Sequence, residues 1–129
     1  MTTALVTGAS DGIGLEFCKV LASRGYHLVL VARREAVLNE ISASLVAEHG
    51  IKCTVISCDL SKAKAAQTLF KATQKQGLEV DFLINNAGLL HNGFFTDLSL
   101  ADQEKMMTVN MLALTSLTHL FANDMASRQ

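Results

Sequence analysis

The sequence predicts a doubly wound α/β protein built on a parallel sheet, incomplete at about four strands with flanking helices. Three observations predict it. Short apolar runs alternate with longer amphipathic segments from residue 3 onward, which is the rhythm of βαβ units. The runs are apolar at nearly every position rather than at alternate ones, as strands covered by helices on both faces require. A glycine-rich turn joins the first run to the first amphipathic segment.

In chain order, the first strand is expected at Thr3–Thr7 and leads into a helix carrying Ile13, Phe17, Val20 and Leu21 on its apolar stripe, closed by Gly25. The second strand, His27–Ala32, precedes a helix with Leu38, Ile41 and Leu45 that stops at Gly50. The third strand spans 52–58, and its helix begins after Ser61 and ends near Gly77. The fourth strand spans 80–85. A strand there is ordinarily central in a doubly wound sheet, whereas with four strands one of its edges lies open, an aggregation hazard unless something pairs with it. The last helix starts at Ser99, where Ser99-Leu100-Ala101-Asp102 has capping-box form with Asp in place of Glu. Met106, Val109, Ala113, Leu117 and Leu120 follow at helical spacing, and the stretch reads equally as two helices meeting near Asn110.

The 129 residues suit one domain, 1–129, with half its residues hydrophobic and no proline beside 8 glycines. A net charge of −1 with interspersed signs leaves no electrostatic footprint for nucleic acid or an anionic membrane. Cys18, Cys53 and Cys58 lack C-x-x-C spacing and histidine neighbours, so they read as reduced core thiols and no metal is expected. No basic leader precedes the first strand and no apolar run reaches the ~18 residues of a membrane span, so a cytoplasmic location is the expectation.

Thr7-Gly8-Ala9-Ser10-Asp11-Gly12-Ile13-Gly14 carries the chemistry. Gly8 permits a tight turn, Gly12 lets the backbone approach a pyrophosphate, and Gly14 allows close helix–strand packing. Unpaired N–H groups at the helix start face the phosphates. The plainer reading is a turn that only links strand to helix. The T-G-x3-G-x-G spacing resembles the short-chain dehydrogenase/reductase family, whose Rossmann-like domain binds a nicotinamide dinucleotide. By that resemblance Ser10 hydrogen-bonds a phosphate and Ile13 joins the cofactor contacts. Asp11 would repel the pyrophosphate unless its side chain turns outward.

At the end of the second strand, NAD-linked proteins usually carry Asp or Glu for the ribose 2′-hydroxyl. Here Arg33 and Arg34 stand in that place. A guanidinium matches a 2′-phosphate, and a charge-assisted contact of about 1.5–3 kcal/mol implies a roughly tenfold to hundredfold preference, so NADP(H) is expected over NAD(H). The alternative is two solvated arginines, although arginine at a helix start opposes the dipole and needs some other use.

Further resemblance lies in Asp59-Leu60, Asn86-Ala87-Gly88 and Asn110, which follow in the family's order. The resemblance implies that Asp59 and Leu60 border the adenine, although Asp59 could instead cap the next helix. It implies that Asn86, Ala87 and Gly88 stabilise the sheet beside the cofactor. It also implies that Asn110 is a catalytic residue bracketing a water in a proton relay; a structural Asn at a helix kink is the other reading. His27, His49, His91 and His119 read as non-catalytic, with His91 alone close to the expected cofactor mouth.

The family's reaction also needs a serine and a Y-x-x-x-K pair. The single tyrosine, Tyr26, is followed four residues later by Leu30. Two expectations result. The chain is the cofactor-binding part of an NADP(H)-dependent oxidoreductase acting on a small carbonyl or alcohol substrate, ending before the catalytic Ser/Tyr/Lys segment and inactive alone. Alternatively it is a non-catalytic dinucleotide-binding or interaction module. A homo-oligomer is possible on either reading.

Overall fold

A computed structural model describes residues 2–129. Four parallel strands, β1 (Thr3–Thr7), β2 (His27–Ala32), β3 (Cys53–Ser57) and β4 (Phe82–Ile84), form one sheet in the order β3-β2-β1-β4. The helices are α1 (Gly12–Ser23), α2 (Glu35–His49), α3 (Ala65–Lys75), α4 (Leu100–Met107) and α5 (Leu114–Ser127). The chain steps outward from β1 to β3 and then crosses back to place β4 on the other side of β1. That reversal creates a switch point between β1 and β4, where open α/β sheets bind ligands at the carboxyl ends of their strands.

Alternate residues of each strand feed opposite cores. Ala4, Val6, Leu28 and Leu30 pack with Cys18, Leu21, Leu38 and Leu45 from α1 and α2. Leu5, Val29 and Val31 pack on the other face with Leu69 of α3 and Leu117 and Phe121 of α5. Two buried faces are why β1 and β2 are apolar throughout.

Several expectations need correction. Ile13, Phe17 and Val20 are 71%, 42% and 47% exposed, while Gly14, Cys18, Leu21 and Ala22 face the sheet. Small residues win that face because they let α1 approach β1 closely. The outer strands are shorter than read: β3 covers 53–57 and β4 only 82–84, since β4 pairs with β1 alone over three register positions. Helix α3 begins at Ala65, not directly after Ser61, with Lys64 as its N-cap at φ +56°. Residues 100–127 form one helical run, in which Thr108–Ala113 makes a π-helical turn containing Asn110. The Ser99 cap forms as expected, accepting from Asp102 N–H at 3.1 Å. Strand β4 has an open edge, with Phe82 45% exposed.

Candidate functional site

A cleft of about 540 Å³ opens over the carboxyl ends of the strands. Gly8, Ser10, Asp11, Gly12 and Ile13 line it from the turn after β1, Arg33 and Arg34 from the end of β2, and Asp59 and Leu60 from the end of β3. Asn86, Ala87 and Gly88 enter after β4. Segments far apart in sequence thus converge because parallel strands all end on the same side of the sheet.

The glycines divide the work of the turn. Gly8 holds φ +66° and Gly12 φ +53°, a region L-residues rarely adopt. A Cβ on Gly12 would meet nothing within 4 Å, so this stretch of backbone faces open cleft. A Cβ on Gly14 would collide with the Gly8 carbonyl oxygen and Asn86 Nδ2. Gly14 is therefore not on the cleft wall; it carries the turn from behind. No side chain caps α1, which leaves the amides of its first turn without a side-chain acceptor.

Asn86 ties β4 to that turn. Its Nδ2 donates to the Thr7 and Gly8 carbonyls at 3.1 and 3.2 Å, while Thr7 Oγ1 accepts from Asn86 N–H and Ala87 N–H at 3.1 and 3.0 Å. Four bonds between two adjacent strand ends fix the switch point rigidly.

Charge is distributed around the rim. Arg34 Nη2 donates to Ser10 Oγ at 3.4 Å and to Asp11 Oδ2 at 3.3 Å, so Asp11 turns outward onto a guanidinium. That contact, with Glu35 in the first turn of α2, offsets a cation at the helix start. Asp59 Oδ1 accepts from Ser61 Oγ at 2.7 Å and Ser61 N–H at 2.9 Å, which holds its carboxyl below the usual carboxylate range, with Lys62 and Arg33 contributing less. It closes a local turn and caps no helix, since α3 starts six residues later.

Asn110 does not reach the cleft. Its Nδ2 donates to the Leu89 carbonyl and its Oδ1 accepts from Leu89 N–H, both at 2.8 Å, so it grips the loop that forms the wall. Tyr26 lies before β2, at the amino ends of the strands and 6.3 Å from the Phe82 ring. Its phenol is on the wrong side of the sheet for chemistry in the cleft.

With the site so arranged, the decisive comparison is that the family model for short chain dehydrogenases matches residues 2–129. The chain belongs to that family. This short-chain dehydrogenase chain is 37% identical to a very-long-chain 3-oxoacyl-CoA reductase of Pyrenophora tritici-repentis, matched over 99% of the chain and 39% of the relative. It is 32% identical to a 7beta-hydroxysteroid dehydrogenase of Collinsella aerofaciens, over 96% of the chain and 46% of the relative. Among solved structures, a short-chain dehydrogenase from Sphingobium yanoikuyae in complex with NADPH superposes with a TM-score of 0.91 at 32% identity, covering 99% of this chain and 50% of that one. The chain spans about two-fifths of the length of the first curated relatives it matches.

Other cleft residues of this short-chain dehydrogenase chain escaped the sequence reading. Lys105 and Val109 line it from one face of the last helical run, a single i,i+4 step that the helical pattern contained but did not point inward. Leu89 lines it from the loop after Gly88, beside His91, the one histidine that the sequence places near the mouth. His91 Nε2 is buried without a hydrogen-bond partner, 3.9 Å from Asp102 Oδ1. Among the described residues no group of histidine, cysteine and carboxylate side chains could hold a metal, and no helix is long and apolar enough to cross a membrane.

Proposed function

We propose that residues 1–129 bind NADP(H) in preference to NAD(H) and form the cofactor-binding part of an oxidoreductase that interconverts a carbonyl and an alcohol. The observation that carries this reading is one cleft bounded by uncapped α1 amides over Gly12 and, at the end of β2, by two arginines where an acidic residue would serve NAD. The volume falls within the ~300–1,000 Å³ common for ligand pockets. Space over Gly12 and the absence of any competing side-chain cap fit a pyrophosphate there.

A nicotinamide dinucleotide held in this cleft would supply or accept the hydride. The chain's own part is to orient the dinucleotide: Gly12 and the α1 amides take the pyrophosphate, Arg33 and Arg34 the 2′-phosphate, and Asp59 and Leu60 the adenine side. Asn86, Ala87 and Gly88 form the floor nearest the switch point. Asn110 is a positioning residue that acts on the cleft wall through its two hydrogen bonds to the Leu89 backbone. Proton transfer requires a tyrosine with a neighbouring lysine and a serine from outside residues 1–129. The relatives' names, a 3-oxoacyl-CoA reductase and a hydroxysteroid dehydrogenase, support the carbonyl/alcohol class, and the NADPH-bound neighbour supports the cofactor.

Titration of the purified chain with NADPH and NADH, followed by nucleotide fluorescence at moderate ionic strength, tests the reading. Saturable binding with NADPH tighter by roughly tenfold or more is expected. Folded chain that binds neither nucleotide, or both equally, overturns the cofactor assignment.

A further inference from the structure

Asp11 is the N-cap residue of α1, with φ −160° and ψ 178°, yet its carboxylate accepts nothing from the amides of that helix. An N-cap aspartate ordinarily turns onto the N2 or N3 amide. Here Oδ2 takes Arg34 Nη2 at 3.3 Å, and the same nitrogen reaches Ser10 Oγ at 3.4 Å. Two consequences follow together: the α1 amides stay free, and Arg34 is tied across the rim to the glycine turn. The Arg33 carbonyl accepts from Ser57 Oγ at 2.9 Å, and among the described residues no ion pair within 4.0 Å engages its guanidinium, whose charge interacts weakly with Asp59.

We infer that Asp11 is a specificity-determining residue that limits the preference for a 2′-phosphate, by holding one of the two arginines that would otherwise meet it. The inference rests on the dinucleotide reading above. NADH leaves the Asp11–Arg34 pair intact, whereas NADPH must draw Arg34 away from Asp11 or rely on Arg33. The size of the effect is bounded. The pair is a single contact between side chains 60% and 79% exposed, and such pairs shift an equilibrium by a few-fold at most. A carboxylate acting instead by repelling the pyrophosphate would weaken both nucleotides alike, because both carry that group.

The experiment is a set of dissociation constants for NADPH and NADH on the wild-type chain, Asp11→Asn, Asp11→Ala, Arg34→Ala and the Asp11→Asn/Arg34→Ala double variant, with far-UV circular dichroism confirming the fold. Both Asp11 variants are expected to tighten NADPH about two- to fivefold with NADH unchanged, and the gain should vanish in the Arg34→Ala background. Equal tightening of both nucleotides, an unchanged ratio, or the same gain without Arg34 overturns the inference. Wild-type chain that binds neither nucleotide overturns the dinucleotide reading and this inference with it. Wild-type chain that prefers NADPH while the ratio ignores Asp11 overturns this one alone.

Discussion

Asn110 and the backbone of Leu89 hold each other through two hydrogen bonds of 2.8 Å, one in each direction. Leu89 lines the cleft and Asn110 does not, so the last helical run shapes the site at one remove. The π-helical turn at Thr108–Ala113 has a reason in the same region. Buried residues Val109, Ala113, Leu117 and Phe121 recur every four positions, which on a regular helix of 3.6 residues per turn drifts about 40° per step. One wider turn absorbs part of that drift and keeps Val109 at the cleft while Leu117 and Phe121 stay in the core.

Asn110→Ala should therefore loosen the wall. The expected cost is about 1–2 kcal/mol in chemical denaturation, with weaker NADPH binding, because Leu89 loses a donor and an acceptor together. Asn110→Asp should be worse than Asn110→Ala at neutral pH, since a carboxylate would face the Leu89 carbonyl; denaturation midpoints of the two variants decide it.

Gly14→Ala and Gly12→Ala should fail in different ways. At Gly14 the new methyl meets backbone at Gly8 as well as Asn86 Nδ2, so a loss of about 1–3 kcal/mol in stability is expected from overpacking. At Gly12 the methyl meets no protein atom, and the φ of +53° costs about 1–2 kcal/mol. Its larger effect should be on nucleotide affinity, where the methyl occupies the phosphate approach. Thermal unfolding and fluorescence titration on both variants separate the two.

Asp81 joins the first strand to the end of the last helix. Its Oδ2 accepts from Thr3 N–H at 2.9 Å and its Oδ1 from Arg128 at 3.2 Å, and these hold its carboxyl below the usual carboxylate range, the Thr3 bond contributing most. A depressed folded value means that the native state binds the proton less readily than the unfolded chain. The stabilisation is therefore complete above the ordinary Asp value near 4 and is lost as pH falls through the lower folded value. Asp81→Asn should cost no more than about 1 kcal/mol at pH 7, given its partial exposure, and the difference from wild type should shrink below pH ~4 in urea denaturation. Asp59 should retain its own acid-side dependence in that variant.

Burial pushes the Cys18 thiol up to about 12, with Cys53 nearby adding to it. At pH 8 only about one molecule in 10⁴ would carry the thiolate that reacts with disulfide reagents. Labelling of Cys18 by a chromogenic disulfide is thus expected to follow unfolding, its rate rising with denaturant, whereas the half-buried Cys53 and Cys58 should react earlier. Rapid modification of Cys18 in the native chain would contradict the packing of α1 on the sheet.

Much of this molecule was legible in its sequence because the signals are local. Apolar runs placed four strands to within a few residues, glycines and Ser99 marked helix ends, and Gly8, Gly12, Arg33 and Asn86, singled out by their motifs, all line one cleft. Each rests on a dihedral requirement or a side-chain period that a few neighbouring residues express. The tertiary structure decided what sequence spacing cannot carry: that β4 lies beside β1, that α1 buries Gly14, Cys18 and Ala22 rather than Ile13, Phe17 and Val20, that Arg34 answers Asp11, and that Asn110 grips Leu89. Those contacts join residues 21 to about 80 positions apart. Their partners are selected by how closely each helix can approach the sheet and by which strand ends finish side by side, and both depend on the packed interior as a whole.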